Sequence, residues 1–529
     1  MRIAIDTGGT FTDCVFTSGG SLEILKLPST PADPGAAVWK AVTQISGGRE
    51  SEIRHGTTVG TNALLERKGA RVAFVTTSGF EDTIAIGRQA RPKLYDLFFT
   101  KESPLSPEEL RFGVSERTAP DGSILCSPSE TELARLKAAV AALSPESIAV
   151  SLLFSFANPA NEKVVVETLR SLGVPVSVSH EILPEFREYE RGSTILINAY
   201  LAPKMQHYLE GLDAALRRAG SRLHVMQSSG GIIPASIAAR EPVRTILSGP
   251  AGGVVGALAI AKTAGFSRIL TFDMGGTSTD VALVDSAKGL RTTTESQIMS
   301  LPVAVPMLDI HTVGAGGGSL AGFDRGGALK VGPQSAGADP GPTCYGRGEQ
   351  PTVTDANLVL GRLDAEWFLG GGMPLDRDRA ARYLDASRGN LRDLETFAEG
   401  IIRLADSHMQ KALRTISVEQ GHDPRDFVLV SFGGAGPLHA CALARALQIP
   451  KVLVPRMPGA LSAYGILISD VVRDYSRTVM LRPSDSALAH HFENLESAGH
   501  AAMQAERLAG SAARFVDVRY SGQGYELTV

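Results

Sequence analysis

The sequence predicts an α/β protein built as a duplicated pair of halves around a central cleft, and three observations carry that expectation. Apolar strands alternate with amphipathic helices along the chain. A strand–turn–strand unit at the N-terminus recurs near residue 270. A third glycine-rich turn joins an apolar strand to a helix near residue 433. With 529 residues, the usual ~100–200 residues per domain gives about three or four domains. Lys+Arg number 52 against 56 Asp+Glu, a net charge of −4, so nucleic acid and anionic membrane are not the expected main partners. A chain with 43% hydrophobic and 20% charged residues has ample material for buried cores.

The repeat comes first. Residues 3–16 read IAIDTGGTFTDCVF and residues 270–283 read LTFDMGGTSTDVAL; within them DTGGTFTD (6–13) and DMGGTSTD (273–280) agree at six of eight positions. Each is an apolar strand ending in Asp, a Gly-Gly turn, and a strand with hydroxylated residues. Glycine is expected there because tight hairpin turns use positive φ. Bare glycine N–H groups approach an anion closely, and Thr10 and Thr277 add hydroxyl donors. Asp6 and Asp273 repel a free phosphate, but each is suited to hold a hydrated Mg²⁺ that neutralises one. Two opposed hairpins therefore predict a grip on one Mg-nucleotide phosphate chain from both sides.

The third site is FVLVSFGGAGPLHACALARAL (427–447). Its strand, 427–432, runs into Gly433, Gly434 and Gly436, and Pro437 opens a helix. A glycine loop at a helix N-terminus suits a phosphate or a nucleoside face. No G-x-x-x-x-G-K-[ST] occurs, and the spacing is not that of a dinucleotide fold.

Between these sites the pattern gives strands at 70–77 and 147–154 and helices at 130–143 and 161–172, with a longer amphipathic helix over 397–421. That is α/β layering with mixed sheets. Cys14, Cys126, Cys344 and Cys441 form no C-x-x-C, which predicts neither a zinc ribbon nor a disulfide framework; Cys344 and Cys441 read as packed. His490 and His491 read as a surface pair, and Asp339 and Asp355 as turn-makers. No signal-peptide core opens the chain, so a cytoplasmic protein is expected.

Hairpin, hairpin, then strand–glycine–helix resembles the actin/sugar-kinase/Hsp70 ATPase layout. Further segments narrow the match: HGTTVGTNALLERKGA (55–70), SGFEDTIAIGRQARPKLYDL (78–97), ERGSTILINAYLAP (190–203), LSGPAGGVVGA (247–257), DIHTVGAGGGSLA (309–321), TDANLVLGRL (354–363) and PGALSAYGIL (458–467). In order and together they resemble the hydantoinase/oxoprolinase family, closest to its hydantoinase A subunits, a group that includes 5-oxoprolinases and the β subunits of acetone-type carboxylases. The resemblance implies blocks at 1–185, 186–475 and 476–529. In the last, VDVRYSGQGYELTV (516–529) is similar to the opening of the family's C-terminal domain.

The resemblance also implies ATP-dependent opening of a cyclic amide or imide, shared with a hydantoinase B-like subunit in a hetero-oligomer. The alternatives are an acetone-type carboxylase subunit or a nucleotide-switched regulatory ATPase. Gly8, Gly9, Thr10 and Thr12 are then expected on one side of the phosphate chain and Gly275, Gly276 and Thr277 on the other. Asp6 and Asp273 would orient Mg²⁺ or another divalent metal. Gly433, Gly434 and Gly436 would lie by the adenosine, and Gly314, Gly316, Gly317 and Gly318 would line the cleft. On the substrate side the candidates are His55, Thr57, Thr58 and Asn62, then Arg88, Arg91 and Asp96, then Asp309 and His311. A neutral histidine can polarise a carbonyl or ligate a metal.

Overall fold

The computed structural model describes residues 1–9, 11–30, 33–89 and 95–529; Thr10 and Arg91 lie outside the described residues. The chain divides into two compact units, neither continuous in sequence. The first takes residues 1–63, 205–293 and 306–470, and the second takes 64–204, 294–305 and 471–529. These are bodies of contact, a different division from sequence blocks ending at 185 and 475.

The first unit holds two sheets of related design. One has six strands in the order Ile232–Pro234, Arg222–Met226, Glu52–Thr57, Arg2–Thr7, Phe11–Ser18, Ser21–Pro28. The other has five, Ile310–Val313, Thr279–Asp285, Arg268–Met274, Val428–Phe432, Lys451–Leu453. At the centre of each, one copy of the repeated hairpin pairs antiparallel within itself, and its first strand pairs parallel with a strand from farther along the chain. The repeat extends to its turns: Gly8 N–H donates to the Phe11 carbonyl at 3.0 Å, and Gly275 N–H donates to the Ser278 carbonyl at 3.1 Å.

Period-2 alternation gives each sheet two chemically distinct faces. In the second sheet Leu270, Phe272, Met274 and Val281 point into one core. Helix Leu394–Ile416 packs on that core through Phe397, Ile401, Ala405 and Met409, with its charged side outward, as the 397–421 periodicity predicts. Thr271, Asp273 and Asp280 point the other way.

Toward that other face lie helices Ser248–Thr263 and Leu461–Ile468, which cross with almost no side chain between them. A Cβ on Gly256 would stand 2.6 Å from the Leu461 carbonyl oxygen, one on Gly252 would stand 2.8 Å from that of Ser462, and one on Gly465 would overlap the Gly252 carbonyl. The segments LSGPAGGVVGA and PGALSAYGIL are thus the two halves of a glycine-to-glycine helix contact.

The second unit carries an all-parallel sheet ordered Val176–Val178, Ser147–Ser151, Val72–Thr77, Arg111–Val114. Helices Glu130–Ala142 and Ala160–Arg170 pack on it, matching the strands and helices predicted there. Its buried Glu162 is fully satisfied, accepting from Leu152 N–H (2.7 Å), Ser179 Oγ (2.9 Å) and His180 Nδ1 (2.7 Å). Among the described residues no helix is long and apolar enough to cross a membrane.

Candidate functional site

Strand register builds the site. Asp6 ends the first strand of its hairpin and lies opposite Asp13; Asp273 and Asp280 occupy the matching positions of the second copy. Facing cross-strand residues share a face, so each hairpin presents a carboxylate pair. Glycines clear the space around them. A Cβ on Gly56 would come within 2.8 Å of Asp6 Oδ1 and one on Gly249 within 3.3 Å, while one on Gly433 would overlap Asp273 Oδ1. Gly433 also has φ +79°, which favours glycine independently.

Each first-strand aspartate also meets the first turn of a crossing helix. Asp6 lies against Gly249 of Ser248–Thr263, and the hydroxyl of Ser462, in the first turn of Leu461–Ile468, donates to Asp273. Unpaired N–H groups and the positive helix end favour negative charge there.

The electrostatics show four acids crowding one another. Burial, then Asp13, pushes the Asp6 carboxyl up to about 7, with Lys26 partly offsetting. Burial, then Asp280, Asp6 and Asp13, pushes Asp273 well above the ordinary carboxylate range, and the Ser462 hydrogen bond opposes this. Asp280 is pushed up to about 6 by burial, with Thr312 Oγ1 donating to it at 2.5 Å. Asp6 and Asp273 therefore feel each other across one site within the first unit. Asp6 Oδ1 is buried with no hydrogen-bond partner.

That orphaned oxygen, beside other hard oxygens and bare glycines, fits a divalent cation such as Mg²⁺. Among the described residues no three His, Cys, Asp or Glu side chains form a closed metal cage. A cation here would keep water or ligand oxygens, as Mg²⁺ commonly does. The turns complete the picture: Gly9, Gly276 and Thr277 are exposed, with open space where a Cβ on Gly9 or Gly276 would stand.

Several expected roles are corrected. The turn glycines Gly8, Gly9, Gly275 and Gly276 do not use left-handed φ; Gly8 and Gly275 close their own turns through their N–H groups, and Gly9 and Gly276 leave the backbone bare. Thr12 is sealed: its Oγ1 bonds Ser29 Oγ at 3.0 Å, and Ser29 donates to the Gly8 carbonyl at 2.8 Å, so Thr12 braces the turn from behind. Gly316, Gly317 and Gly318 are buried behind the second turn and do not line a cleft. Gly317 N–H donates to the Gly275 carbonyl (3.0 Å) and Gly318 N–H to that of Gly276 (2.7 Å), so these donors are spent on the turn. Gly314 packs on Pro333. Gly433 clears Asp273 and Gly436 lets its helix close on Ser431, leaving Gly434 open among the three.

His55 and Thr57 flank Gly56, so alternation turns both to the face opposite Asp6. His55 is fully buried; its Nδ1 donates to the Ile5 carbonyl (3.1 Å), its Nε2 accepts from Tyr208 (2.6 Å), and burial lowers it to about 4, which keeps it neutral. Thr57 is likewise sealed, with its Oγ1 accepting from Val59 N–H at 3.2 Å. Both are core residues, not site groups. Thr58 Oγ1 donates to the Thr7 carbonyl at 3.1 Å, bracing the strand end, while Asn62 is exposed.

His311 faces away too. It lies opposite Val281, whereas Thr312 is the residue that reaches Asp280. Asp309 N–H donates to the Arg291 carbonyl at 3.2 Å. In the second unit Arg88 forms a bidentate ion pair with Glu190 (2.7 and 2.8 Å), and Asp96 accepts from Phe98 N–H (3.1 Å), so both groups are engaged. Asp355 is a buried cap, accepting from Thr343, Cys344 and Thr352 N–H groups. Cys344 is buried as expected; Cys441 is exposed. His490 is exposed and His491 partly buried. Sequence reading missed Ser462, Asp280 and the helix pair. The Gly252-x-x-x-Gly256 spacing was the available signal for that close approach.

The comparisons agree with this architecture. A model of the hydantoinase/oxoprolinase N-terminal region matches residues 2–173, and one described as hydantoinase/oxoprolinase matches 191–475. The chain is 35% identical to caprolactamase subunit alpha of Pseudomonas jessenii, over 100% of this chain and 80% of that protein. It is 36% identical to 5-oxoprolinase 1 of Arabidopsis thaliana, over 90% of this chain and 42% of that one. The crystal structure of ATP-dependent caprolactamase from Pseudomonas jessenii superimposes with TM-score 0.86 at 34% identity, covering 100% of this chain and 81% of that one. Nucleotide-free acetone carboxylase gives TM-score 0.83 at 28% identity, covering 100% and 80%. Two matching models in series and relatives aligned along the whole chain lead to one conclusion: the protein belongs to the hydantoinase/oxoprolinase family, with its α/β ATPase fold of the actin type.

Proposed function

We propose that this chain is the ATP-using subunit of an ATP-dependent cyclic-amide hydrolase. The observation that carries the reading is the convergence of Asp6 and Asp273, each at a Gly-Gly turn whose second glycine is exposed and at the first turn of a glycine-packed helix. An amide carbonyl is resonance-stabilised and its nitrogen leaves poorly. Transfer of the γ-phosphoryl group to the carbonyl oxygen forms the new O–P bond as ADP departs. Water then adds to the activated carbon, the C–N bond breaks as nitrogen takes a proton, and a second water releases phosphate from the resulting acyl phosphate, leaving the carboxylate. The first step needs positioning and charge neutralisation more than covalent help.

Asp6 and Asp273 would orient Mg²⁺, which supplies that neutralisation when bound. Gly8, Gly9 and Thr10 on one turn, with Gly275, Gly276 and Thr277 on the other, would hold the phosphate chain, and Gly434 is the open glycine of the third loop. Ring opening is shared with a hydantoinase B-like subunit in the cytoplasm; the caprolactamase relative is itself named as a subunit. The blocks 1–185, 186–475 and 476–529 belong to the same reading.

A second reading, phosphorylation of a ketone enolate for carboxylation, is favoured by the likeness to acetone carboxylase. One experiment separates them. The chain and its B-like partner are incubated with MgATP and, in turn, caprolactam, 5-oxoproline, hydantoin, or acetone with bicarbonate, following nucleotide products and ring opening. Substrate-dependent ADP release with ring opening supports the hydrolase, and bicarbonate-dependent turnover supports the carboxylase. ATP hydrolysis indifferent to every substrate leaves a nucleotide switch and refutes both.

A further inference from the structure

The two copies of the repeat are not electrostatically equal. Read across the first sheet, one row runs Gly56, Asp6, Asp13, Lys26; across the second, the matching row runs Phe432, Asp273, Asp280, Thr312. Where the second hairpin faces its outer carboxylate with a hydroxyl, the first faces it with an ammonium. With all acids ionised, the first row carries one net negative charge and the second carries two.

We propose that Lys26 is the cation with which the first hairpin meets the phosphate chain, held in place by Asp13; this rests on the nucleotide reading above. Lys26 Nζ lies 2.5 Å from Asp13 Oδ1 and 5.0 Å from the centre of the Phe11 ring. Phe11 is where the chain leaves the Gly8-Gly9 turn, so the ammonium lies close to that turn, whose Gly8 N–H is spent on the Phe11 carbonyl and whose Gly9 is exposed with open space at its Cβ. Its side chain is 32% exposed while that of Asp13 is 18% exposed, so the head is anchored without being sealed. An ammonium has three donors; Asp13 Oδ1 is the partner shown here, and the geometry leaves the group able to reach an arriving anion. Lys26 also partly offsets the burial of both Asp6 and Asp13.

An ordinary exposed ion pair contributes little. Lys26 differs because it joins the row that carries Asp6, and this gives a signature that packing alone lacks. Removing a positive charge beside carboxylates cannot weaken a bare cation electrostatically, yet it must weaken a polyanion. The test uses the full 529-residue chain as wild type, Lys26→Met and Lys26→Arg. It measures Mn²⁺ binding alone, MgATP binding by calorimetry, and the melting temperature. Loss of one charge-assisted contact predicts about tenfold weaker MgATP binding in Lys26→Met, with Mn²⁺ binding retained or tightened. Lys26→Arg, which keeps the charge, is expected within about threefold of wild type, a bound set by the same contact strength. Unchanged MgATP binding in Lys26→Met, or parallel loss of Mn²⁺ and MgATP, overturns the proposal. A wild-type chain that binds no MgATP sinks the nucleotide reading and this inference with it; wild-type binding with an unaltered Lys26→Met sinks this inference alone.

Discussion

At the scale of single residues, Asp6 and Asp273 are poorly accommodated as bare carboxylates. Asp6 Oδ1 is buried without a partner, and the neighbours of Asp273 are mostly acids. Asp273→Asn is therefore expected to cut ATP turnover by roughly a hundredfold or more, since preorganised charge is what phosphoryl transfer draws on. Its melting temperature should be no lower than wild type, because the substitution removes a crowded charge without changing shape. Turnover retained within tenfold would exclude the assigned role.

The same crowding sets a pH dependence. A carboxylate raised from 3.8 to about 7 when folded binds more protons folded than unfolded between those values. Stability then falls as pH rises from 3.8 through 7, by a few kcal/mol at most. Without divalent metal, the wild type should lose melting temperature between pH 5 and pH 8 and recover it on adding Mg²⁺. Asp6→Asn should show a shallower decline, and melting curves at the two pH values check this. The matching places of Asp6 and Asp273 in two hairpins with Gly-Gly turns are legible in the sequence because one short repeat writes them twice. His55 was misassigned although the sequence held the correction: as the neighbour of Gly56 in a strand, it must point away from whatever Gly56 faces.

At the scale of elements, the helix crossing is the most exacting contact in the first unit. A methyl group on Gly465 would overlap the Gly252 carbonyl, and backbone cannot yield as a side chain does. Gly465→Ala is expected to cost about 2 kcal/mol or more, read by denaturant unfolding. Gly211, within helix Glu188–Arg218, has open space at its Cβ, and Gly211→Ala should add about 0.5–1 kcal/mol. Equal effects at the two sites would show that the crossing is loose. Strands and helices were legible from periodicity, and the 397–421 pattern found its helix to within a few residues. The role of each glycine was not. Gly276, bare to solvent, and Gly317, buried behind it, look alike in sequence, and burial depends on the partners Thr354 and Gly275 bring.

At the scale of the molecule, every carboxylate of the candidate site, both turns and both crossing helices belong to the first unit. Saturating MgATP should therefore slow amide exchange in segments 2–18 and 268–285 and raise the melting temperature by mass action. Protection absent from both hairpins would place nucleotide elsewhere. The sheet pairings behind this unit could not be read from sequence, because partners such as Glu52–Thr57 and Arg222–Met226 are far apart along the chain.

That separation has a cost during synthesis. Strand Glu52–Thr57 finds Arg2–Thr7 already made but meets its other neighbour only after Arg222–Met226 has been made, and Asp273 meets Ser462 later still. At translation speeds of ~5–20 residues per second, the strands made by residue 57 wait roughly ten to thirty seconds with the outer edge of Glu52–Thr57 open. A nascent chain stalled before residue 222 would therefore present that edge to chaperones, and one released after residue 470 would not.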